Sequence, residues 1–486
     1  MLSQAALLLV CCGGSSPTAK LLGKFDFAYS YWRDHCDVLP PTFFCGGPNP
    51  NPHEHGAPHD RMSGGCNIDV ADSPSYAFRN SSGTTMVMAS MNRGSRPLLG
   101  ADLLSATHSC HFYANSSNNP DETKFASHEW IKGVFPFQNN NTIYGLNDME
   151  YHQPWNATLP NGTTISGEFK FISITLAMSK DGGRWFEHAA PPPNHVIATM
   201  QLAWNASAPN FGYRMPSNIL QGKRPEHKGF FYATFNTGVH DARFTPPEKC
   251  AKTSGQKDCG SMWRADQPAG WADGVIGGQE LGTCIMRTRD LSDASSWRAW
   301  DGTVTASGEP SFTVDLSGNP YANAGSAAGP DSPMPTCAVF AKPDPHNHTA
   351  ATGNGHNTVL WSTYYKRYLL FGNGGMTNWR FALSDDLVHW DSWTEVDPGE
   401  ISPRLGSPNR AQWCKENATV GNGVSSDPTR CYHGYAYPAV IDPKCKTDNY
   451  DEVGAEAYLF TLADAGWSND NHTTTRDILR IPIHFS

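Results

Sequence analysis

The sequence predicts an all-β fold, and three observations carry that expectation. Of 486 residues only 17% are charged and 11% aromatic, while Gly (45) and Pro (36) are plentiful, the make-up of a loop-rich β protein rather than a helical one. Apolar residues alternate with period two in run after run, and no stretch reads as an amphipathic helix of normal length. A short strand-and-turn unit also repeats. "LAMSKDGGRW" (176–185) and "FALSDDLVHW" (381–390) align without a gap: apolar strand, Ser, any residue, Asp, three residues, Trp. "IMRTRDLSDASSW" (285–297) is the same unit with Thr for Ser and three extra residues before Trp297. In each, an Asp side chain is expected to cap the turn amides and the Trp to pack back between neighbouring sheets. Small antiparallel sheets repeated this way are the signature of a β-propeller, and five units can be placed, which predicts a five-bladed β-propeller.

In chain order, residues 1–19 read as a secretory leader: "AALLLVCC" is a short apolar run, and "GGSSPTA" supplies small residues for cleavage near Ala19. Residues 20–65 read as a loop-rich segment packed on the propeller, which occupies 66–486. "SYAFRNSSGTTMVMAS" (75–90) is a hairpin turning at Asn-Ser-Ser-Gly. "EFKFISITLAMS" (168–179), "GFFYATFN" (229–236), "NTVLWSTYYKRYLLFG" (357–372) and "AYLFTLA" (457–463) are further strands. The innermost strands of the units are expected to begin near Asp72, Thr142, Arg214, Asn357 and Tyr437. "RDILRIPIHF" (476–485) closes the last unit and is expected to complete a blade with the N-terminal segment.

A net charge of −10 argues against a nucleic-acid partner or an anionic membrane surface, and no segment is apolar for long enough to span a bilayer. Asn-x-Ser/Thr sequons begin at Asn80, Asn115, Asn140, Asn156, Asn161, Asn205, Asn347, Asn417 and Asn471, which fits a secreted, extracellular protein, and a monomer is expected. Thirteen cysteines, of which Cys11 and Cys12 lie in the leader, leave an odd number beyond it. Local loop closure predicts the pairs Cys250–Cys259 and Cys414–Cys431. Cys284, in the strand-like "GTCIMRT", is the expected unpaired thiol.

The blade repeat resembles the five-bladed propeller glycosidases: the arabinanases, β-xylosidases and invertases of glycoside hydrolase families 43, 32 and 68. "ADSPSYAFRNSSGTTMVMAS" (71–90) is similar to their first blade, where an Asp just ahead of a Pro opens the innermost strand. "AVIDPKCKTDNYDEVGAEAYLF" together with "RDILRIPIHF" looks like the last blade of secreted relatives. Sialidases carry a related Asp box, and "SKDGGRWF" (179–186) and "YRMPSNI" (213–219) come near their motifs. Their aromatic follows the Asp by five residues, whereas Trp185 and Trp390 follow by four, which favours the five-bladed type.

The resemblance implies a hydrolase that cleaves glycosidic bonds in a poly- or oligosaccharide with two carboxyl groups across the scissile bond. It places the catalytic Asp, base or nucleophile, at Asp72, with Asp69 a nearby substitute. "YGLNDMEYHQPW" (144–155) supplies the rest of the constellation. Alternate residues of a strand share a face, so Asp148, Glu150 and His152 project together. Glu150 is the candidate general acid, Asp148 a third carboxylate that tunes it, His152 its modulator, and Trp155 a platform for a sugar ring. The family places its acid Glu in the third blade, where this chain has Arg214-Met215-Pro216. Arg214 has no useful proton to give and suits an acidic sugar instead. Asp241 and Tyr437 complete the candidate substrate contacts. The chemistry requires no cofactor; a structural Ca2+ fits the abundance of oxygen ligands, though no ligand set is fixed. "HEHGAPHD" (53–60), His108 with His111, and His128 with Glu129 are weaker metal-like groupings. Two other functions stay open: a polysaccharide lyase with His152 as base, Tyr151 as acid and Arg214 as carboxylate clamp, and a non-catalytic glycan-binding propeller.

Overall fold

The computed structural model describes residues 16–22, 26–29, 71–89, 97–109, 113–114, 119–137, 140–158, 164–202, 211–239, 275–276, 278–322, 334–342, 357–373, 379–399, 434–464 and 476–486. Among these residues the chain is all-β, and the helical pieces are single 3-10 turns at Glu122–Lys124, Pro225–His227 and Ala294–Ser296. No helix among them is long and apolar enough to cross a membrane.

The strands form successive antiparallel meanders. The first runs Tyr76–Arg79, Thr85–Met88, Leu98–Gly100, Thr107–His108. Its hairpin turns as the sequence predicts: Asn80 Oδ1 accepts the Ser82 and Thr84 amides, and Gly83 takes φ 80°. The second runs His128–Phe137, Thr142–Thr158, Thr164–Ser179. Two residues of parallel pairing join it to the third, whose first strand is split into Phe211–Arg214 and Leu220–Gln221. Phe231–Val239, Gly282–Thr288, Arg298–Val304 and Pro310–Val314 follow. The fourth is Asn357–Ser362, Arg367–Asn373, Trp379–Ser384, Thr394–Glu395. The fifth is Gly434–Ile441, Glu456–Asp464, Arg476–Phe485.

Both Ala19–Leu21 and Asp26–Tyr29 pair with Arg476–Phe485, so the chain's start does complete the last meander. This corrects the loop-rich reading of 20–65 where it is described. It also places Ala19, assigned to the end of the leader, in a paired strand, and just before it Thr18 and Ser486 exchange backbone hydrogen bonds of 2.7 and 2.9 Å. Ala19 and Leu21 are buried with Phe381, Ile481 and Phe485.

The first strands of the meanders meet one another. Tyr76–Arg79 lies beside His128–Phe137 and Gly434–Ile441, the latter beside Asn357–Ser362, and that beside Leu220–Gln221. His128–Phe137 in turn meets the split strand, since a Cβ on Gly133 would lie 2.4 Å from the Ser217 carbonyl oxygen. The inner strand of the second meander is therefore His128–Phe137, and Thr142 opens its neighbour. Apolar faces fill each gap between consecutive meanders. Phe78, Met86 and Ile143 pack between first and second, Leu146, Phe171 and Phe235 between second and third, Tyr232, Ile285 and Leu370 between third and fourth, Leu369, Val440 and Leu459 between fourth and fifth, and Val87, Phe460 and Leu462 between fifth and first. Each such side chain contributes roughly 1.5–3 kcal/mol on leaving water.

The repeated Asp turns form as expected. Asp181 Oδ1 accepts the Arg184 and Trp185 amides at 3.0 Å, and Asp386 Oδ1 accepts those of Val388 and His389 at 3.1 and 2.8 Å. The Trp packing differs among copies. Trp297 is buried, Trp390 is half-buried against Phe340, and Trp185 is 44% exposed. In the first copy Gly182 and Gly183 carry φ of 74° and 88°, and Gly183 sits where a side chain would strike Phe78. The turn itself, rather than its Trp, makes that contact.

Cys284 is disulfide-bonded to Cys337, which corrects its assignment as the unpaired thiol; the free cysteine among the described residues is the buried Cys445. Cys250, Cys259, Cys414 and Cys431 lie outside the described residues.

Candidate active site

The site forms on two adjacent strands of the second meander. Antiparallel register sets Glu150 opposite His128 and Asp148 opposite Trp130. Period two then places His128, Trp130 and Lys132 on the face that carries Asp148, Glu150 and His152. Contacts agree. The His128 and His152 rings stack at 4.1 Å, Trp130 and His152 lie 6.3 Å apart, and Lys132 Nζ stands 5.7 Å from the Trp130 ring. His152 Nε2 and Glu150 Oε2 share a hydrogen bond of 2.8 Å.

Lys132 links this strand pair to its neighbours. Its Nζ donates to the Asp72 backbone carbonyl at 3.0 Å, lies 4.0 Å from Asp148 Oδ2, and sits 5.7 Å from the Tyr437 ring. The Tyr437 hydroxyl donates to Asp72 Oδ1 at 2.8 Å. Asp72, Asp148 and Tyr437, from three different meanders, thus gather around one buried ammonium. The Asp148 carboxylate is fully buried, and Oδ1 accepts the Met215 amide at 3.2 Å. Burial pushes Asp148 up from 3.8 to about 6, and the charge of Glu150 pushes the same way. Lys132, the Met215 amide and Arg214 oppose the rise without cancelling it.

Backbone at the site is held in unusual shapes. Met215 and Tyr437 both have left-handed φ, 53° and 56°, and both precede a proline. Proline disfavours helical conformations for the residue before it, so two such residues flanking one carboxylate cluster store strain where the surroundings fix it. Met215 thereby aims its amide at Asp148, and Tyr437 its phenol at Asp72.

The structure brings together Asp72, Asp148, Glu150, His152 and Tyr437 from the sequence candidates. Arg214 is buried, with its guanidinium against Gly238, and its charge acts on Asp148. The Trp155 backbone pairs with Gly167, but its side chain lies outside the described residues, as do Asp69, Asp241, His111 and 53–60. Tyr151 faces away from His152: it is buried and its hydroxyl donates to the Pro120 carbonyl at 2.8 Å, which removes it as the acid of a lyase. Sequence reasoning missed Trp130 and Lys132. The signal was the alternation in "SHEWIK", readable only once its register against 144–155 is known.

On the opposite face of the same strand, Glu129 meets two histidines. His188 Nε2 lies 2.9 and 3.0 Å from the Glu129 carboxylate oxygens, and the His188 and His195 rings are 4.3 Å apart.

The chain matches no protein family and no curated protein sequence. It is similar in structure to solved glycoside hydrolases. These include a glycosyl hydrolase from Bacteroides ovatus (9% identity, TM-score 0.37, 84% of each chain) and a GH62 hydrolase in complex with xylotriose (11%, 0.38, 85% of this chain and 92% of that one). An exo-inulinase from Aspergillus awamori is matched over 85% of this chain and 61% of its own, at 9% identity and TM-score 0.36.

Proposed function

We propose that the protein is a secreted glycoside hydrolase on a five-bladed β-propeller, the five meanders being its blades. Cyclic contact of the first strands, and apolar packing in every gap including that between fifth and first, support the propeller reading. One observation carries the hydrolase reading: Lys132 bonds the Asp72 backbone carbonyl and lies 4.0 Å from Asp148, so Asp72 and the strand that carries Asp148 and Glu150, from two blades, meet at one buried ammonium.

Glu150 is the general acid. Its hydrogen bond to His152 fixes the carboxyl and gives its proton a donor for reprotonation. Asp72, oriented by the Tyr437 hydroxyl, is the base or nucleophile on the other side of the scissile bond. Asp148 is pinned beside Glu150 by Lys132 and the Met215 amide, and the mutual repulsion of the two carboxylates keeps a proton at the pair. The part-exposed, stacked rings of His128 and His152, backed by the buried Trp130, offer flat surface beside the acid, suited to the apolar face of a sugar. The substrate class is a plant, algal or fungal poly- or oligosaccharide.

The test is reducing-end release from a panel of such glycans, with Glu150→Gln alongside. Turnover lost in the variant with the fold intact supports the assignment. Turnover unchanged by Glu150→Gln overturns it, release of unsaturated uronate would mark a lyase, and binding without turnover a lectin-like propeller.

A further inference from the structure

Glu129, His188 and His195 form a second constellation with no part in the chemistry above. Glu129 projects from the His128–Phe137 strand to the side away from Glu150. His188 ends the short strand Glu187–His188, and His195 precedes Val196–Ala198; both strands pair with Thr164–Ser179. The segment between them is tied down at each end, with Ala189 N donating to Leu176 O at 2.9 Å and Leu176 N to His195 O at 2.8 Å. One nitrogen from each imidazole and one carboxylate oxygen lie within 4.8 Å of one another.

The surroundings orient these three groups as ligands. The Phe125 carbonyl only accepts, so His195 Nε2, 3.0 Å away, must carry the proton. That leaves Nδ1 as a bare lone pair. His195 is fully buried, and this Nδ1 has no hydrogen-bond partner among the described residues. A buried acceptor left alone costs roughly 1–3 kcal/mol. Histidines that bind metal characteristically donate their other N–H to a backbone carbonyl or carboxylate. Glu129 Oε1 is held in turn by Asn147 Nδ2 at 3.3 Å and Thr175 Oγ1 at 3.5 Å. The His188 side chain keeps 23% of its surface in solvent, which provides an entry path.

We propose that Glu129, His188 and His195 bind a divalent transition-metal ion, with His195 using the nitrogen that Phe125 leaves free. Two imidazoles and one carboxylate suit Zn2+, with water completing a tetrahedral shell. The site is independent of the glycosidase reading.

The experiment is Co2+ titration of the metal-stripped full-length protein, followed by the visible d–d absorption of four-coordinate Co2+. One equivalent is taken up, Zn2+ displaces it, and His188→Asn and Glu129→Gln each weaken uptake by at least about 100-fold, above the effect typical of outer-shell changes. Circular dichroism confirms that each variant folds, and His188→Asn is mild because the side chain is part-exposed. A companion variant with His53, His55 and His59 replaced by Ala retains uptake. Absence of the absorption, or an absorption untouched by His188→Asn or abolished by the companion variant, overturns the proposal.

Discussion

Replacing Asp148 by Asn isolates the electrostatics of the site in a single measurement. The folded-state pKa of Asp148 is raised from 3.8 to about 6, so the folded protein holds this proton where the unfolded chain has released it. The sign follows from linkage: where the unfolded state binds fewer protons, stability falls as pH rises. The loss begins near pH 3.8, accumulates until about pH 6, and is constant above. A displacement of roughly two pH units, at about 1.4 kcal/mol each, amounts to about 3 kcal/mol. The amide cannot ionise, so Asp148→Asn escapes this loss, and titrations away from the site are common to both proteins. The unfolding free energy of the variant minus that of the wild type should therefore climb by about 3 kcal/mol between pH 4 and 7 and then level off. Urea denaturation of both proteins across that range measures it. Because Glu150 contributes to the rise, the climb should shrink when the pair is compared in a Glu150→Gln background. A flat difference would refute the raised pKa. A difference that falls with pH would mean that Lys132 outweighs burial, and Asp148 would then be a simple ion-pair partner.

Glu150→Gln and Asp72→Asn should each preserve the thermal transition and lower kcat by a factor on the order of 100 or more, measured by reducing-end release. Replacing both Cys284 and Cys337 by Ala opens a bridge across 53 residues and should cost about 2–4 kcal/mol in chemical denaturation. Leu21→Ala removes a buried side chain from the strand that closes the last meander, and should cost about 2–5 kcal/mol by the same assay.

Much of the fold was legible because long strands buried on one face write their period into the sequence. The runs at 75–90, 168–179, 357–372 and 476–485 all became strands. The closing strands Ala19–Leu21 and Asp26–Tyr29 are too short to show a period, and their partner lies at the other end of the chain. Cys284 was misjudged for a related reason: a buried strand position suggests an inert thiol, and Cys337 reaches it from a segment with no strand signature. The Trp of the repeat misled because its direction depends on the turn before it. Two glycines in left-handed conformations turn Trp185 out to solvent, while the three extra residues before Trp297 bring it in.

The site was half legible, and the missing half has a physical cause. Parity along one strand put Asp148, Glu150 and His152 on a common face without knowledge of any neighbour. Trp130 and Lys132 depend on register, which the pairing of Phe137 with Thr142 and the irregularity between Ile131 and Gly133 set together. No single-strand pattern contains that information. Yet one signal did lie in the sequence. Met215-Pro216 and Tyr437-Pro438 each interrupt an inner strand, and Ser73-Pro74 precedes another. A proline denies the ladder an amide and presses its predecessor away from helical backbone, so prolines on strands that meet at one centre mark where the chain gives up regular pairing. At two of them it accepts left-handed backbone as well. There the amide of Met215 turns to Asp148 and the phenol of Tyr437 to Asp72. The departures from ideal strand geometry thus coincide with the carboxylates, as expected where a backbone is strained to position chemistry rather than to complete a sheet.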